Sequence, residues 1–347
     1  MQEHLMTNAV AVHSDIAELG FGPMQQMMLH EAQEHGLPVM EQEDGHLMIG
    51  SAFGAFGITA REPGIRLHVR AQSEDNLSVL RDSLLEHLEH FLPHIMADLR
   101  WSDAPVAGSL PVNFQFAEVL AVADLGVDFY RVQLKLARFA TFKDESIHFR
   151  LVLPDPKVAD PEWPSLKENG SIAWPKGEKE LHRPVYTART MDHDTGVLTV
   201  DIYRHDGGRA SGWAAAAKPG HQVAMIGPGG SGILARPQVT LCGDETAYPA
   251  LARIVESLPE GAQGKVILAN ASGARDYPFP MRDGLEVSWC DAATGSLAAA
   301  AQEAQTAQPE AFLWFASEAA EVAEMRKHIK AAGWSKESFY AAAYWVK

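Results

Sequence analysis

Residues 239–257, VTLCGDETAYPALARIVES, read as a β-strand, a polar turn and an amphipathic helix. Val239–Gly243 is a short apolar run closed by glycine, and Leu251, Ile254 and Val255 then recur at helical spacing. The alternation continues to the end of the chain. KVILAN (265–270) and LEVSWC (285–290) read as strands, followed by a long Ala/Gln-rich helical stretch, strand AFLWFAS (311–317), helix AAEVAEMRKHIKAAG (319–333) and a last strand FYAAAYWV (339–346). Strands alternating with helices predict a parallel sheet with helices on its faces. The polar turn after VTLCG then lies at a strand's carboxyl end, where open α/β sheets collect their ligands.

Upstream the pattern changes. FAEVLAVADL (116–125), YRVQLKLARF (130–139), SIHFRLVLP (146–154), VYTART (185–190), GVLTVDIYRH (196–205) and QVAMIGPGG (222–230) are strands separated by Gly, Pro and Asp turns. With one short helical candidate, ASGWAAAA (210–217), they predict an antiparallel β-barrel. The first hundred residues mix two amphipathic stretches, 21–35 and 75–92, with strands HLMIG, GAFGITA and IRLHVRA. A turn at Glu43-Asp44-Gly45 suits a hairpin. The expected organisation is a small α+β domain over 1–104, a linker over 102–111, a barrel domain over 112–236 and an α/β domain over 237–347.

The totals narrow the function. A length of 347 residues exceeds one ordinary core, and 46% hydrophobic with 21% charged residues is a normal globular composition. A formal charge of −16 with no Lys/Arg run argues against nucleic-acid binding, and an anionic substrate would need a local basic pocket. Cys242 and Cys290 alone exclude a disulfide framework or a four-cysteine cluster, and both read as buried thiols of a reducing compartment. The N-terminus lacks the pattern of a secretory signal and no window spans a membrane, so a cytoplasmic protein without integral membrane contact is expected.

Three local motifs carry chemistry. Arg183-Pro184-Val185-Tyr186-Thr187-Ala188-Arg189 puts cations, an aromatic and a hydroxyl on one barrel strand, the groups that a flavin dinucleotide needs; a half-buried strand with solvated arginines is the plain alternative. His205-Asp206-Gly207-Gly208-Arg209-Ala210-Ser211-Gly212-Trp213-Ala214 is a glycine turn entering a helix, whose free N–H groups favour a phosphate, although Ser211 also suits an ordinary N-cap. Gly243-Asp244-Glu245-Thr246 is placed to meet a nicotinamide, or its acids simply favour a helix start.

In this order and spacing the three motifs, with HFRLVLP, VAMIGPGG, WFASEAAEVAEMR and the terminal Tyr344-Trp345, resemble the siderophore-interacting protein family over about residues 113 to 347. The resemblance implies a ferredoxin-reductase-like pair of an FAD-binding β-barrel and an NAD(P)H-binding α/β domain. The implied activity is reduction of ferric siderophores with NADH or NADPH through FAD, releasing Fe(II). It implies that Arg183, Tyr186, Thr187 and Arg189 hold the flavin and its phosphates, with His205, Ala210, Ser211, Trp213 and Ala214 completing that site. Gly243, Asp244, Glu245 and Thr246 would border the nicotinamide, with Thr246, Tyr186 and Thr187 nearest the chemistry. Ser317 and Glu318 would line the dinucleotide cleft, and Tyr344 and Trp345 would cover the flavin or the substrate mouth. Arg150 and Lys347 are the candidate substrate contacts for an anionic ferric siderophore, with solvated surface charges as the plain alternative for each.

The chain departs from the family's pattern at Arg209 (Pro), Tyr248 (Leu), Ser317 (Gly) and Val346 (Arg). Ser317 would narrow the cleft. The first domain is similar to a small family of uncharacterised domains found beside such reductases. Its His87, His90 and His94 fit either a metal or a solvated face, the latter favoured because Pro93 interrupts the helix. Arg275 and Arg326 are candidate partners for a 2′-phosphate, with no motif to choose between them. A reductase with another acceptor (quinone, flavin or redox protein) and a flavin-containing siderophore- or iron-binding protein with little turnover remain the competing readings.

Overall fold

The computed structural model describes residues 10–35, 37–51, 53–103, 106–144, 147–229 and 236–347. The chain divides into two compact units, residues 1–114 with 154–181 and residues 115–153 with 182–347. The segment Pro154–Leu181, expected in the barrel domain, is thus counted with the N-terminal unit.

In the first unit, β1 (Val10–Ile16), α1 (Phe21–His35), β2 (Val39–Glu43), β3 (His46–Ser51), β4 (Gly54–Arg61), β5 (Gly64–Ala71) and α2 (Glu74–Phe91) follow in order. The sheet is antiparallel, ordered β1-β5-β4-β3-β2, and Asp44-Gly45 turns the β2–β3 hairpin with Gly45 at φ 70°. The period-2 alternation of β5 sends Ile65, Leu67 and Val69 into a core shared with Met24 and Met28 of α1 and Leu77, Leu84, Leu85 and Leu88 of α2. Ser73 caps α2 by accepting from Asn76 N–H at 3.2 Å.

The second unit holds two cores. The barrel is built from β6 (Phe114–Leu125), β7 (Phe129–Leu136), β8 (His148–Val152), then, after the β9 (Ser165–Leu166) and β10 (Ile172–Ala173) hairpin of the other unit, β11 (Val185–Thr187), β12 (Thr190–Asp192), β13 (Val197–Tyr203) and, beyond helix α3 (Arg209–Ala216), β14 (Gln222–Gly229). The sheet order is β11-β8-β14-β6-β7-β13-β12. Its two edge strands are consecutive in the chain. Val185–Thr187 pairs with β8, Ala188 N–H reaches Ile147 O, Arg189 N–H reaches Thr199 O, and Thr190–Asp192 pairs with β13. The motif singled out as flavin-binding is therefore the stretch that closes the barrel, around Val132, Leu134, Phe149, Leu151, Val200 and Met225.

The α/β part comprises β15 (Gln238–Gly243), α4 (Tyr248–Ser257), β16 (Gln263–Asn270), β17 (Leu285–Asp291), α5 (Leu297–Ala307), β18 (Phe312–Glu318), α6 (Ala319–Ala331) and β19 (Phe339–Trp345). All five strands are parallel, in the order β17-β16-β15-β18-β19. The connections reverse direction between β15 and β18, which makes the carboxyl ends of those two strands the topological switch point. Cys242 is buried, whereas Cys290 is only half-buried, contrary to the expectation for both. No helix among the described residues is long and apolar enough to cross a membrane.

Candidate functional site

The switch point is organised by Asp244, 6% exposed at the end of β15. Its Oδ1 accepts from Thr246 N–H at 3.0 Å and from the Thr246 hydroxyl at 2.6 Å. Its Oδ2 accepts from the Ser317 hydroxyl at 2.9 Å and from Trp345 Nε1–H at 2.8 Å. Four donors thus converge on one carboxylate from the ends of β15, β18 and β19. Ser317 does not stand as a free wall of the cleft: it is 3% exposed with its hydroxyl turned to Asp244. Glu245 points the other way, its Oε1 accepting Ala271 N–H at 2.6 Å, and burial raises its pKa. Gly243 is bare by necessity, because a Cβ there would meet Ala247 Cβ at 2.6 Å. Glu318 caps α6 through Ala320 N–H at 2.6 Å and accepts Lys347 N–H at 3.3 Å, leaving Lys347 at the exposed terminus. The departure at Tyr248 belongs to the core, its hydroxyl donating to Ala269 O at 2.6 Å.

The barrel strand meets this turn through a residue that the sequence reading passed over. Thr187 stands opposite His148 in the β8–β11 register, and His148 Nε2 is 2.9 Å from the Tyr344 hydroxyl on β19, next to Trp345. Burial, with the Arg253 charge behind it, pushes the His148 pKa down to about 4, so the imidazole is neutral and the Tyr344 hydroxyl its hydrogen-bond partner. Arg150, two residues along, shares the face of His148, and its Nη1 donates to Arg183 O at 3.0 Å. Tyr186 lies on the opposite face, opposite Phe149, and its burial raises the phenol well above its usual value.

The arginines of the motif divide. Arg183 is exposed, whereas Arg189 is 7% exposed and makes a two-armed ion pair with Glu256 of α4, both contacts at 2.7 Å. Next to it Arg253 donates to Ala188 O and Asp144 O at 2.6 Å each. Both Arg189 Nη groups are thus engaged with α4, and only its buried Nε–H is left without a hydrogen-bond partner. Arg131, Asp201 and Tyr277 add a second seam, with two bonds of 2.7 Å and one of 2.8 Å on the buried Asp201.

Helix α3 supplies the other half of the barrel site. Ala210 and Ala214, one turn apart, are buried in the barrel core, so their side chains seat the helix and do not face a ligand. Gly208 at the N-cap offers no side chain to the first-turn N–H groups. His205 lies against it, since a Cβ on Gly208 would meet the imidazole at 2.3 Å. His182, beside Arg183, has its pKa lowered by burial first and then by Arg209 and His205, which puts Arg209 near it and favours its neutral form. In a chain of net charge −16, Arg183 and Arg209 supply local positive charge beside an open helix N-terminus, and the imidazoles add N–H groups, a donor set that suits a pyrophosphate. The unexpected Arg209 reinforces it. Ser211 and Trp213 lie on the same helix, Trp213 half-buried against the barrel. These residues fit FAD.

Among the described residues no group of His, Cys, Asp and Glu is arranged to hold a metal. His87 is tied to Ser83 O at 2.8 Å and lies 3.7 Å from Glu31.

A closed antiparallel barrel followed by a five-stranded parallel sheet, with a cationic cradle on the first and a polar turn at the switch point of the second, defines a ferredoxin-reductase-like flavoprotein. Residues 118–232 match the model of the siderophore-interacting FAD-binding domain and residues 236–347 that of siderophore-interacting protein. The chain belongs to the siderophore-interacting protein family. A protein of Escherichia coli K12 named NADPH-dependent ferric-chelate reductase is 29% identical over 246 residues, 67% of this chain and 93% of its own. The ferric vibriobactin reductase ViuB of Vibrio cholerae is 32% identical over 127 residues, 35% of this chain and 45% of its own. A siderophore utilization protein from T. fusca superposes with a TM-score of 0.60 at 27% identity, covering 70% of this chain and 96% of that one. Both matched ranges begin after the N-terminal domain.

Proposed function

We propose that this chain reduces ferric siderophores with NAD(P)H through FAD, releasing Fe(II). The observation that carries the reading is that His148, the register partner of Thr187 on the barrel-closing strand, is hydrogen-bonded to Tyr344, whose chain neighbour Trp345 donates to Asp244 at the switch point. A group held by the barrel strand and one held at the carboxyl end of the parallel sheet would come together there. The chemistry that bound FAD would supply is acceptance of a hydride from the nicotinamide and delivery of single electrons to the ferric chelate.

The chain's own part is binding and placement. Arg183, His182, His205, Arg209 and the open N-terminus of α3 would hold the pyrophosphate, while Tyr186 and Thr187 would position the flavin ring. Asp244 fixes Thr246 and the terminal strand, so the hydroxyl of Thr246 is oriented before any ligand arrives. His148, neutral, is hydrogen-bonded to the Tyr344 hydroxyl and brings no charge to the cleft. Arg150, exposed on the same face, and Lys347 offer cations to an anionic chelate. Expected residue roles and domain limits, 112–236 for FAD and 237–347 for the dinucleotide, are part of this proposal.

A steady-state acceptor panel tests it. Ferric siderophores should exceed quinones, free flavin and ferricyanide in kcat/KM. A quinone or a free flavin as the best acceptor would instead support the broader flavin-reductase reading.

A further inference from the structure

At the adjoining edge of the sheet, the carboxyl ends of β16 and β17, the structure carries a cation that the proposed reaction has not used. In doubly wound sheets an acid near the end of the second strand reads a ribose 2′-hydroxyl, and an arginine nearby accommodates a 2′-phosphate. Here β15 is the first strand and β16 the second, and β16 runs out into Asn270-Ala271-Ser272-Gly273-Ala274-Arg275. That run contains no carboxylate. Asp291, at the end of the neighbouring β17, has both oxygens taken by its own turn, Oδ1 by Ala293 N–H at 2.8 Å and Oδ2 by the Thr294 hydroxyl at 3.0 Å. Asp276 accepts Val127 N–H at 3.0 Å, and Glu245 accepts Ala271 N–H.

Arg275 differs from its neighbours. Arg253 and Arg282 donate to backbone carbonyls, and Arg326, the other candidate for a 2′-phosphate, donates to Ala341 O at 2.7 Å. The Arg275 guanidinium donates no hydrogen bond among the described residues; it lies over the half-buried indole of Trp289, 5.5 Å from the ring centroid. Stacking on an aromatic face leaves the planar N–H edge of a guanidinium directed outward, where it can take a phosphate with two parallel bonds. The loop is held on both sides of Arg275. Asn270 Nδ2 donates to Ala274 O at 2.7 Å, the Ser272 hydroxyl donates to Asp128, and the Tyr277 hydroxyl donates to Asp201 at 2.8 Å. The cation is presented on a fixed turn, in an otherwise acidic protein.

We propose that Arg275 binds the adenosine 2′-phosphate of the reducing dinucleotide, so that this chain takes NADPH in preference to NADH. The inference rests on the reading that the parallel sheet binds a nicotinamide dinucleotide, but not on the identity of the electron acceptor.

The test is calorimetric titration of the FAD-loaded full-length protein with 2′,5′-ADP and with 5′-AMP. The 2′,5′-ADP should bind at least about tenfold more tightly, the gain expected of charge-assisted hydrogen bonds, and the difference should shrink as salt is raised. Arg275→Gln should abolish the discrimination, and Arg275→Lys should keep part of it, with flavin absorbance and melting point showing that both variants fold. Equal affinities in the wild type, or discrimination that survives Arg275→Gln, would overturn the proposal. Discrimination lost on Arg275→Gln in a protein that fails to reduce ferric chelates would uphold Arg275 while sinking the proposed reaction. Chelate reduction at equal kcat/KM with NADH and NADPH would do the reverse.

Discussion

Asp244→Asn keeps size and shape at the switch point, and the structure says that it is not a mild change. Both carboxylate oxygens are acceptors: Oδ1 for Thr246 N–H and its hydroxyl, Oδ2 for the Ser317 hydroxyl and Trp345 Nε1–H. An asparagine must put its NH2 on one side. Hydroxyls can rotate to accept, but a backbone N–H and an indole N–H cannot. Either orientation therefore sets a donor against a donor, at Thr246 N–H or at Trp345. The orientation that keeps the backbone bond releases the indole. Losing charge-assisted bonds and leaving a part-buried donor unpaired costs about 3 kcal/mol, which in a unit of about 200 residues lowers Tm by roughly 6–12 °C. Thermal unfolding gives the first readout, and the indole 15N–H resonance of Trp345, assigned by Trp345→Phe, gives the second. A Tm within about 2 °C of wild type, with that resonance unmoved, would refute the four-donor account.

The His148 value of about 4 lies below the ordinary 6.5, so the folded state binds fewer protons than the unfolded state between those values. Its contribution is present above pH 6.5 and is lost as pH falls toward 4, about 3 kcal/mol in all; His148→Asn should flatten the pH dependence of Tm across that window. Arg183→Met should weaken FAD binding by about tenfold or more, whereas Arg189→Met should leave it within about threefold and lower Tm instead, as flavin titration and calorimetry would register. Gly264 lies at φ 148°, where a Cβ would meet Val239 O at 1.8 Å; Gly264→Ala should abolish soluble expression or lower Tm by more than about 6 °C in a thermal melt.

Much of the architecture was legible because its signals are local. The strand–turn–helix at 239–257, the period-2 runs of the barrel and the Asp44-Gly45 hairpin each decide their structure within about ten residues. The departure of Pro154–Leu181 from the barrel was not legible: its strands are two residues long, too short to show a period. Nor could sequence separate Arg183 from Arg189, since what distinguishes them is Glu256, 67 residues away. His148 went unread for a related reason. A single histidine in an apolar strand looks like an ordinary edge residue until Tyr344, 196 positions on, is brought beside it. Ser317 was expected to narrow a cleft, and the bond to Asp244 that turns it inward spans 73 residues. Only the chain-specific Arg209 carried its own hint, as a cation entering a helix beside a histidine.

The central claim is that one protein holds a flavin between a nicotinamide and a ferric chelate. The most direct measurement is anaerobic absorption spectroscopy of the FAD-loaded protein, adding one equivalent of NADPH and then a ferric siderophore with an Fe(II)-trapping dye. The account predicts that the flavin bands bleach with the dinucleotide and recover with the chelate as Fe(II) appears. A protein that takes up no FAD, or a bleached flavin that the ferric chelate fails to restore, would contradict it.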